Sequence, residues 1–136
     1  MRKIIRIGSL LMVSLAAFPV LPVTAAGINL EIFYLPHRPA MVVVDKVEQV
    51  AKEFADVTIH KYSFDDPKNH TLLEKYKLTG HIPVAIFING ENNFTVKGRV
   101  IHFRNFPKGD AFVPTLAGEW DYDDLRALLR NMAGEK

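Results

Sequence analysis

Apolar residues recur along the chain with either a strand-like or a helical spacing. Residues 28–35 follow a glycine and are rich in β-branched and aromatic side chains, which is typical of a strand. Residues 82–88 are almost continuously apolar, which is typical of a strand that is buried on both faces. The pattern predicts four strands, the last in two pieces around Gly98, at residues 28–35, 57–64, 82–88, and 94–96 with 99–103.

Three segments have the spacing of helices. Between residues 40 and 55, apolar side chains recur every three or four positions and polar side chains fill the other face, so we expect an amphipathic helix. Pro39 can stand in its first turn, where a missing N–H costs nothing. A shorter helix is predicted at residues 68–77, and Asp121 is expected to cap a last helix that ends near Met132.

The order of these elements defines a fold class. A helix between the first two strands implies that they are parallel, because such a crossover returns the chain to the same end of the sheet. Asn89-Gly90 predicts a tight hairpin, which adds an antiparallel edge. The sequence therefore predicts an α/β fold with a mixed sheet flanked by helices on both faces.

The stretch from Val57 to Glu91 resembles the second half of a thioredoxin in order, spacing and residue type. In the thioredoxin superfamily, a cis-proline begins the strand that Pro83 begins here, and it lies beside a Cys-x-x-Cys motif at the start of the first long helix. The resemblance thus implies a cis Ile82–Pro83 bond. It also places the turn from Pro36 to Pro39 where the redox motif would stand, with a proline in place of each cysteine.

This chain departs from the thioredoxin pattern in three ways. It contains no cysteine, so thiol–disulfide exchange lacks its attacking atom. The segment from Tyr76 to Pro83 is one residue longer than usual, and residues 104–119 form an insertion. No other catalytic constellation is evident, so we expect a non-catalytic domain that needs no cofactor.

The amino-terminal residues 1–25 have the three parts of a secretory signal. Three basic residues precede an apolar stretch, and Val23 and Ala25 supply the small side chains before the cut. The alternative is a retained membrane anchor, but the prolines near the end of the stretch suit an extended cleavage region better than a helix interior. We expect residues 26–136 to form one exported domain, periplasmic or extracellular.

The charge of the expected domain argues against one class of partner. The whole chain has 17 basic and 15 acidic residues, and removing the leader takes away Arg2, Lys3 and Arg6, leaving 14 basic and 15 acidic residues. Nucleic acid is not expected as a partner, because phosphate binding needs a clustered basic excess. Membrane contact is expected only if the leader is retained.

The first functional hypothesis is a protein or peptide partner that binds in the groove beside the cis-proline loop. The backbone of the residue before that proline can pair with an extended chain without any cysteine. The residues proposed for this contact are Pro36, His37, Arg38, Pro39, Ile82, Pro83 and Phe106.

The second hypothesis is a metal site, and the third is a purely structural role in the cell envelope. The resemblance places His37 beside His81, and two imidazoles could bind copper or zinc, with His102 or Met41 as a further ligand. The spacing of these residues is a weak signal, since no third ligand is fixed by the sequence.

The insertion could contribute to a partner surface or fold back over the sheet. Its aromatic, basic and proline residues are compatible with either role. Phe106 is assigned to the surface, whereas Phe112 is expected to be buried because it stands between Ala111 and Val113 in the more apolar part of the loop.

Overall fold

The computed structural model describes residues 26–135, so the predicted secretory signal lies outside the described residues. The elements, in chain order, are β1 Ile28–Tyr34, α1 Arg38–Ala51, β2 Val57–Ser63, α2 His70–Lys75, β3 Val84–Ile88, β4 Asn93–Val96, β5 Arg99–His102 and α3 Tyr122–Met132. Short 3-10 turns lie at Pro67–Asn69 and Pro114–Leu116. This order confirms the predicted α/β class. Within residues 26–135, no helix combines the length and the apolar character that a membrane crossing needs.

The sheet is mixed, as the sequence predicted. Strand β1 lies between β2, which is parallel to it, and β3, which is antiparallel to it. Strands β4 and β5 form an antiparallel hairpin, and the chain just after β5 lies beside β3. There the Ile86 amide donates to the Phe103 carbonyl at 2.9 Å, and Ala85 forms a bridge with Arg104. The predicted Asn89-Gly90 turn is confirmed: both residues have positive φ (50° and 85°), as a tight two-residue hairpin requires.

Two apolar clusters use alternate residues of the central strands. The first joins Leu30 and Ile32 of β1 to Val43 and Val47 of α1 and to Leu125 of α3. The second joins the intervening residues Phe33, Ala85 and Phe87 to Leu73, Leu78 and Ile82. Because successive strand residues point to opposite faces, this division buries both faces of β3, all five of whose residues are buried.

The amino end of α3 is held by two aspartates. The Asp121 carboxylate accepts a hydrogen bond from the Asp124 amide at 2.8 Å, which confirms the predicted cap, and the Asp124 carboxylate accepts one from the Asp121 amide at 3.2 Å. Asp124 is itself buried and receives a further hydrogen bond from Arg99 at 3.2 Å. These hydrogen bonds fix the position at which the inserted loop ends and α3 begins.

The expectation of a cis bond before Pro83 is wrong: every peptide bond in residues 26–135 is trans. A trans bond is the more stable form before proline by about 0.5–1 kcal/mol, and the approach to β3 is one residue longer here than in the thioredoxin pattern. Lys77 and Gly80 adopt left-handed conformations, with φ of 53° and 81°, and reverse the chain before it reaches Ile82. The Pro83 carbonyl then accepts a hydrogen bond from the Leu35 amide at 3.0 Å.

The assignments of the two loop phenylalanines are also wrong. Phe106 is 5% exposed and belongs to the first cluster, whereas Phe112 is 85% exposed. The buried position of Phe106 follows from its backbone, which forms a bridge with Ala117 and accepts a hydrogen bond from the Gly118 amide at 2.6 Å. These bonds draw Phe106 under the loop and leave Phe112 on its outer turn.

Candidate functional site

The turn at the start of α1 lies beside the chain that enters β3. The hydrogen bond between the Leu35 amide and the Pro83 carbonyl joins the two segments. The rings of His37 and His81 lie nearly parallel, at 13°, with their centroids 6.2 Å apart. The structure therefore brings together the two histidines that the sequence singled out.

The seven residues assigned to partner binding divide into exposed and buried sets. Pro36, His37, Arg38 and Pro39 are all exposed. Ile82, Pro83 and Phe106 are buried, so their side chains do not form a contact surface. The surface that a partner can reach consists of the Pro36 to Pro39 turn and the exposed His81 beside it.

No third histidine or acidic side chain joins the two histidines within the described residues. Among residues 26–135, no group of three histidine, aspartate or glutamate side chains could hold a metal. His102, proposed as a further ligand, lies on β5 and is exposed. The two imidazoles, with Met41 as the remaining ligand that the sequence analysis named, are fewer than the four ligands of a structural zinc site.

A groove of about 460 Å³ adjoins the turn on its other side. We call it the α1 groove; one wall is α1, the other is the inserted loop, and its main lining residues are Arg38, Pro39, Val42, Lys46, Asp110 and Phe112. Its volume lies within the range of small-ligand clefts, about 300–1,000 Å³. Arg38 belongs to both the turn and the groove, so the two features form one continuous surface.

The loop wall of the α1 groove is anchored near its outer turn and at its base. Asp110 accepts hydrogen bonds from Tyr122 at 2.9 Å and from Lys46 at 3.3 Å, which ties the loop to α3 and α1. At the base of the loop, the Trp120 indole donates to the Asn105 carbonyl at 3.2 Å. Burial, followed by the hydrogen bond to Asp110, raises the pKa of Tyr122, so this hydroxyl keeps its proton at an alkaline pH where a free tyrosine would ionise.

Exposed apolar side chains concentrate at this surface. The described residues include four large apolar side chains that are exposed: Val42 (43%), Val113 (48%), Val100 (72%) and Phe112. Val42 and Phe112 line the α1 groove and Val113 follows Phe112 in the chain, whereas Val100 lies on β5. Sequence reasoning missed Val42, although a signal was available: Asp45 and Lys46 lie one turn later on the same polar face of the helix.

A buried acid on β1 was also missed by the sequence interpretation. Glu31 is buried and accepts a hydrogen bond from the Tyr76 hydroxyl at 2.5 Å. The signal in the sequence is a single acid within a mainly apolar strand. The pair lies beside the second cluster, where the Tyr76 ring contacts Phe87 at a centroid distance of 4.1 Å.

The Glu31–Tyr76 pair predicts a loss of stability at alkaline pH. Burial, followed by the hydrogen bond to Glu31, raises the pKa of Tyr76 from 10.0 to about 12. A raised folded pKa means that this stabilisation is complete below pH 10 and is lost as the pH rises through about 12. Phenolate formation is followed by near-ultraviolet absorbance as the pH is raised. The parent should show a component that ionises well above pH 10, and Tyr76→Phe should lack that component. Loss of a component that titrates near pH 10 would contradict the assignment.

Comparison with known proteins leaves the site to be interpreted from its geometry. The chain matches no protein-family model, and a search of curated proteins gives no significant match.

Proposed function

We propose that this chain is an exported, non-catalytic domain of thioredoxin-like arrangement, with helices on both faces of its sheet, that binds a protein or peptide partner. The contact surface is the Pro36 to Pro39 turn together with the α1 groove. This revises the sequence hypothesis, because the buried Ile82 and Phe106 are replaced by Val42 and Phe112 as contact residues.

One observation carries the proposal: two of the four exposed large apolar side chains of the described residues, Val42 and Phe112, face each other across one anchored groove, and a third, Val113, follows Phe112 in the chain. Exposed apolar side chains cost free energy in water, and a cluster of them is typical of an interaction surface. Anchoring of the loop by Asp110 and Trp120 favours binding, since less conformational entropy is lost when a partner arrives.

The proposal predicts partner contact at the groove and not elsewhere. A photoreactive phenylalanine analogue is placed at Phe112 of the full chain, expressed with its own leader in the cell that produces it. We expect a crosslinked adduct of defined mass after illumination. The same analogue at Val100 serves as the control, because Val100 is also a large exposed apolar residue but lies on β5, outside the groove. Absence of an adduct at Phe112, or the same adducts at both positions, would contradict the proposal.

The second candidate is a copper or zinc site at His37 and His81. It is favoured by the proximity of two exposed imidazoles, whose ring centroids lie 6.2 Å apart, because neutral imidazole is a common ligand of copper and zinc. Calorimetric titration of the purified protein with zinc chloride or with copper(I) separates the candidates. Stoichiometric binding that is lost in His81→Ala would favour the metal site. Absence of any heat of binding would leave the partner surface as the remaining candidate.

A further inference from the structure

Charge and shape at the α1 groove restrict the chemistry of its occupant. The lining includes two cations, Arg38 and Lys46, and one anion, Asp110. Lys46 lies 3.3 Å from Asp110, which compensates its charge. Arg38 is exposed and forms no ion pair with any residue in 26–135, so its charge at the mouth of the groove is uncompensated by the described chain.

This positive mouth differs from the rest of the expected domain, whose acidic residues outnumber its basic residues, 15 to 14. On the side of the mouth away from the groove, His37 precedes Arg38, and the His37 ring lies 6.2 Å from that of His81. A partner that matches this surface places an acidic group at Arg38 and an apolar group beyond it.

The interior of the groove supplies the apolar half of the match. Pro39 and Val42 form its α1 wall and the ring of Phe112 forms the opposite wall. A volume of about 460 Å³ accommodates a bulky side chain between these walls. Binding is favoured when a phenylalanine or leucine side chain covers these walls, because apolar surface is then removed from water.

Resting on the function proposed above, we infer that the occupant of the α1 groove is an extended peptide segment of another protein that carries a bulky apolar residue next to one or two acidic residues. The apolar side chain enters between Val42 and Phe112, and the adjacent carboxylate pairs with Arg38. A second copy of this chain is disfavoured as the occupant, because a two-fold contact at the groove brings Arg38 towards its own symmetry mate.

Synthetic peptides of ten residues with a fluorescent label test the inference. One has a central phenylalanine followed by two aspartates, the second replaces the aspartates with lysines, and the third replaces the phenylalanine with serine. The protein is purified from cells that express the full chain with its own leader, and binding is followed by fluorescence anisotropy at low salt. We expect the first peptide to bind at least about tenfold more tightly than either of the others, because each lacks one half of the match.

Variants assign the preference to the two halves of the surface. Phe112→Ala should lower the affinity for the first peptide by about tenfold. Arg38→Glu should bring the affinities for the aspartate and lysine peptides to within about twofold of each other or reverse their order. The matched controls are Val100→Ala and Lys52→Glu, which alter an exposed apolar side chain and an exposed cation away from the groove and should leave all affinities unchanged. Thermal melting curves check that each variant is folded, and Arg38→Gln provides a milder second variant.

The outcomes separate this inference from the proposed function. Crosslinking at Phe112 combined with equal affinity for the three peptides would overturn the acidic–apolar preference and leave the partner surface in place. Absence of both crosslinking and peptide binding would overturn both. Self-association of the protein that is lost in Phe112→Ala, measured by sedimentation, would identify a second copy as the occupant and also overturn the inference.

Discussion

Phe106→Ala is expected to lower the free energy of unfolding by about 3–5 kcal/mol, whereas Phe112→Ala changes it by less than about 0.5 kcal/mol. The two substitutions remove the same atoms from residues six positions apart. Phe106 is buried in the first cluster, so its loss leaves a cavity, whereas Phe112 is exposed and leaves none. Denaturant unfolding curves, read from the fluorescence of the buried Trp120, the only tryptophan of the chain, measure both values.

The same pair distinguishes a structural loop from a binding loop. Phe112→Ala should weaken partner capture while leaving stability unchanged, and Val100→Ala should change neither. Similar losses of stability in Phe106→Ala and Phe112→Ala would mean that the outer turn of the loop is packed. In that case the Phe112 side chain would not be free to contact a partner, and the α1 groove would lack its exposed apolar wall.

Regular spacing accounts for what the sequence predicted well. In β1 and β3 the apolar runs are long enough to specify buried strands, and in α1 the three-to-four-residue spacing specifies which face is buried. The Asn89-Gly90 turn needs no tertiary information either, because both residues tolerate the left-handed conformation. Local chemistry was sufficient for these elements.

The insertion was not predictable in this way, because contacts distant in sequence decide which of its side chains is buried. Asp110 is held by Lys46, 64 positions away, and this contact directs the outer turn towards α1. The apolar neighbours of Phe112 suggested burial, but Val113 is also exposed. A loop has no period that relates one side chain to the core, so local composition gave the wrong order for Phe106 and Phe112.

The candidate site was predicted in part. The resemblance brought the Pro36 to Pro39 turn next to His81, and these residues are adjacent and exposed. It did not predict the α1 groove, since one wall of the groove belongs to the insertion, which has no counterpart in the pattern. The side chain of Ile82 is buried, and the expected pairing of its backbone with an extended partner stays a prediction.

The geometry of the groove depends on a glycine that lies outside it. A Cβ atom at Gly118 would stand 2.3 Å from the Arg104 carbonyl oxygen, 2.9 Å from that of Phe106 and 2.9 Å from Cδ1 of Trp120. Two of these three atoms belong to the backbone, so a side-chain rotation cannot relieve the overlap. The loop would have to move away from the sheet, which would break the hydrogen bond between Gly118 and Phe106.

Gly118→Ala is therefore expected to lower the free energy of unfolding by about 3 kcal/mol or more, at or above the upper end of the usual cost of overpacking. Gly27→Ala is the matched control: its added Cβ would meet only the Asp56 carbonyl oxygen at 3.5 Å, an ordinary contact, so stability should change by less than about 1 kcal/mol. Because the displaced loop also carries Asp110 and Phe112, peptide binding should weaken in Gly118→Ala even under conditions where the variant is folded. Equal unfolding curves for the two variants would mean that the loop can yield at Gly118 without cost, and the α1 groove would then not be the preorganised surface that its contacts with α1 and α3 imply.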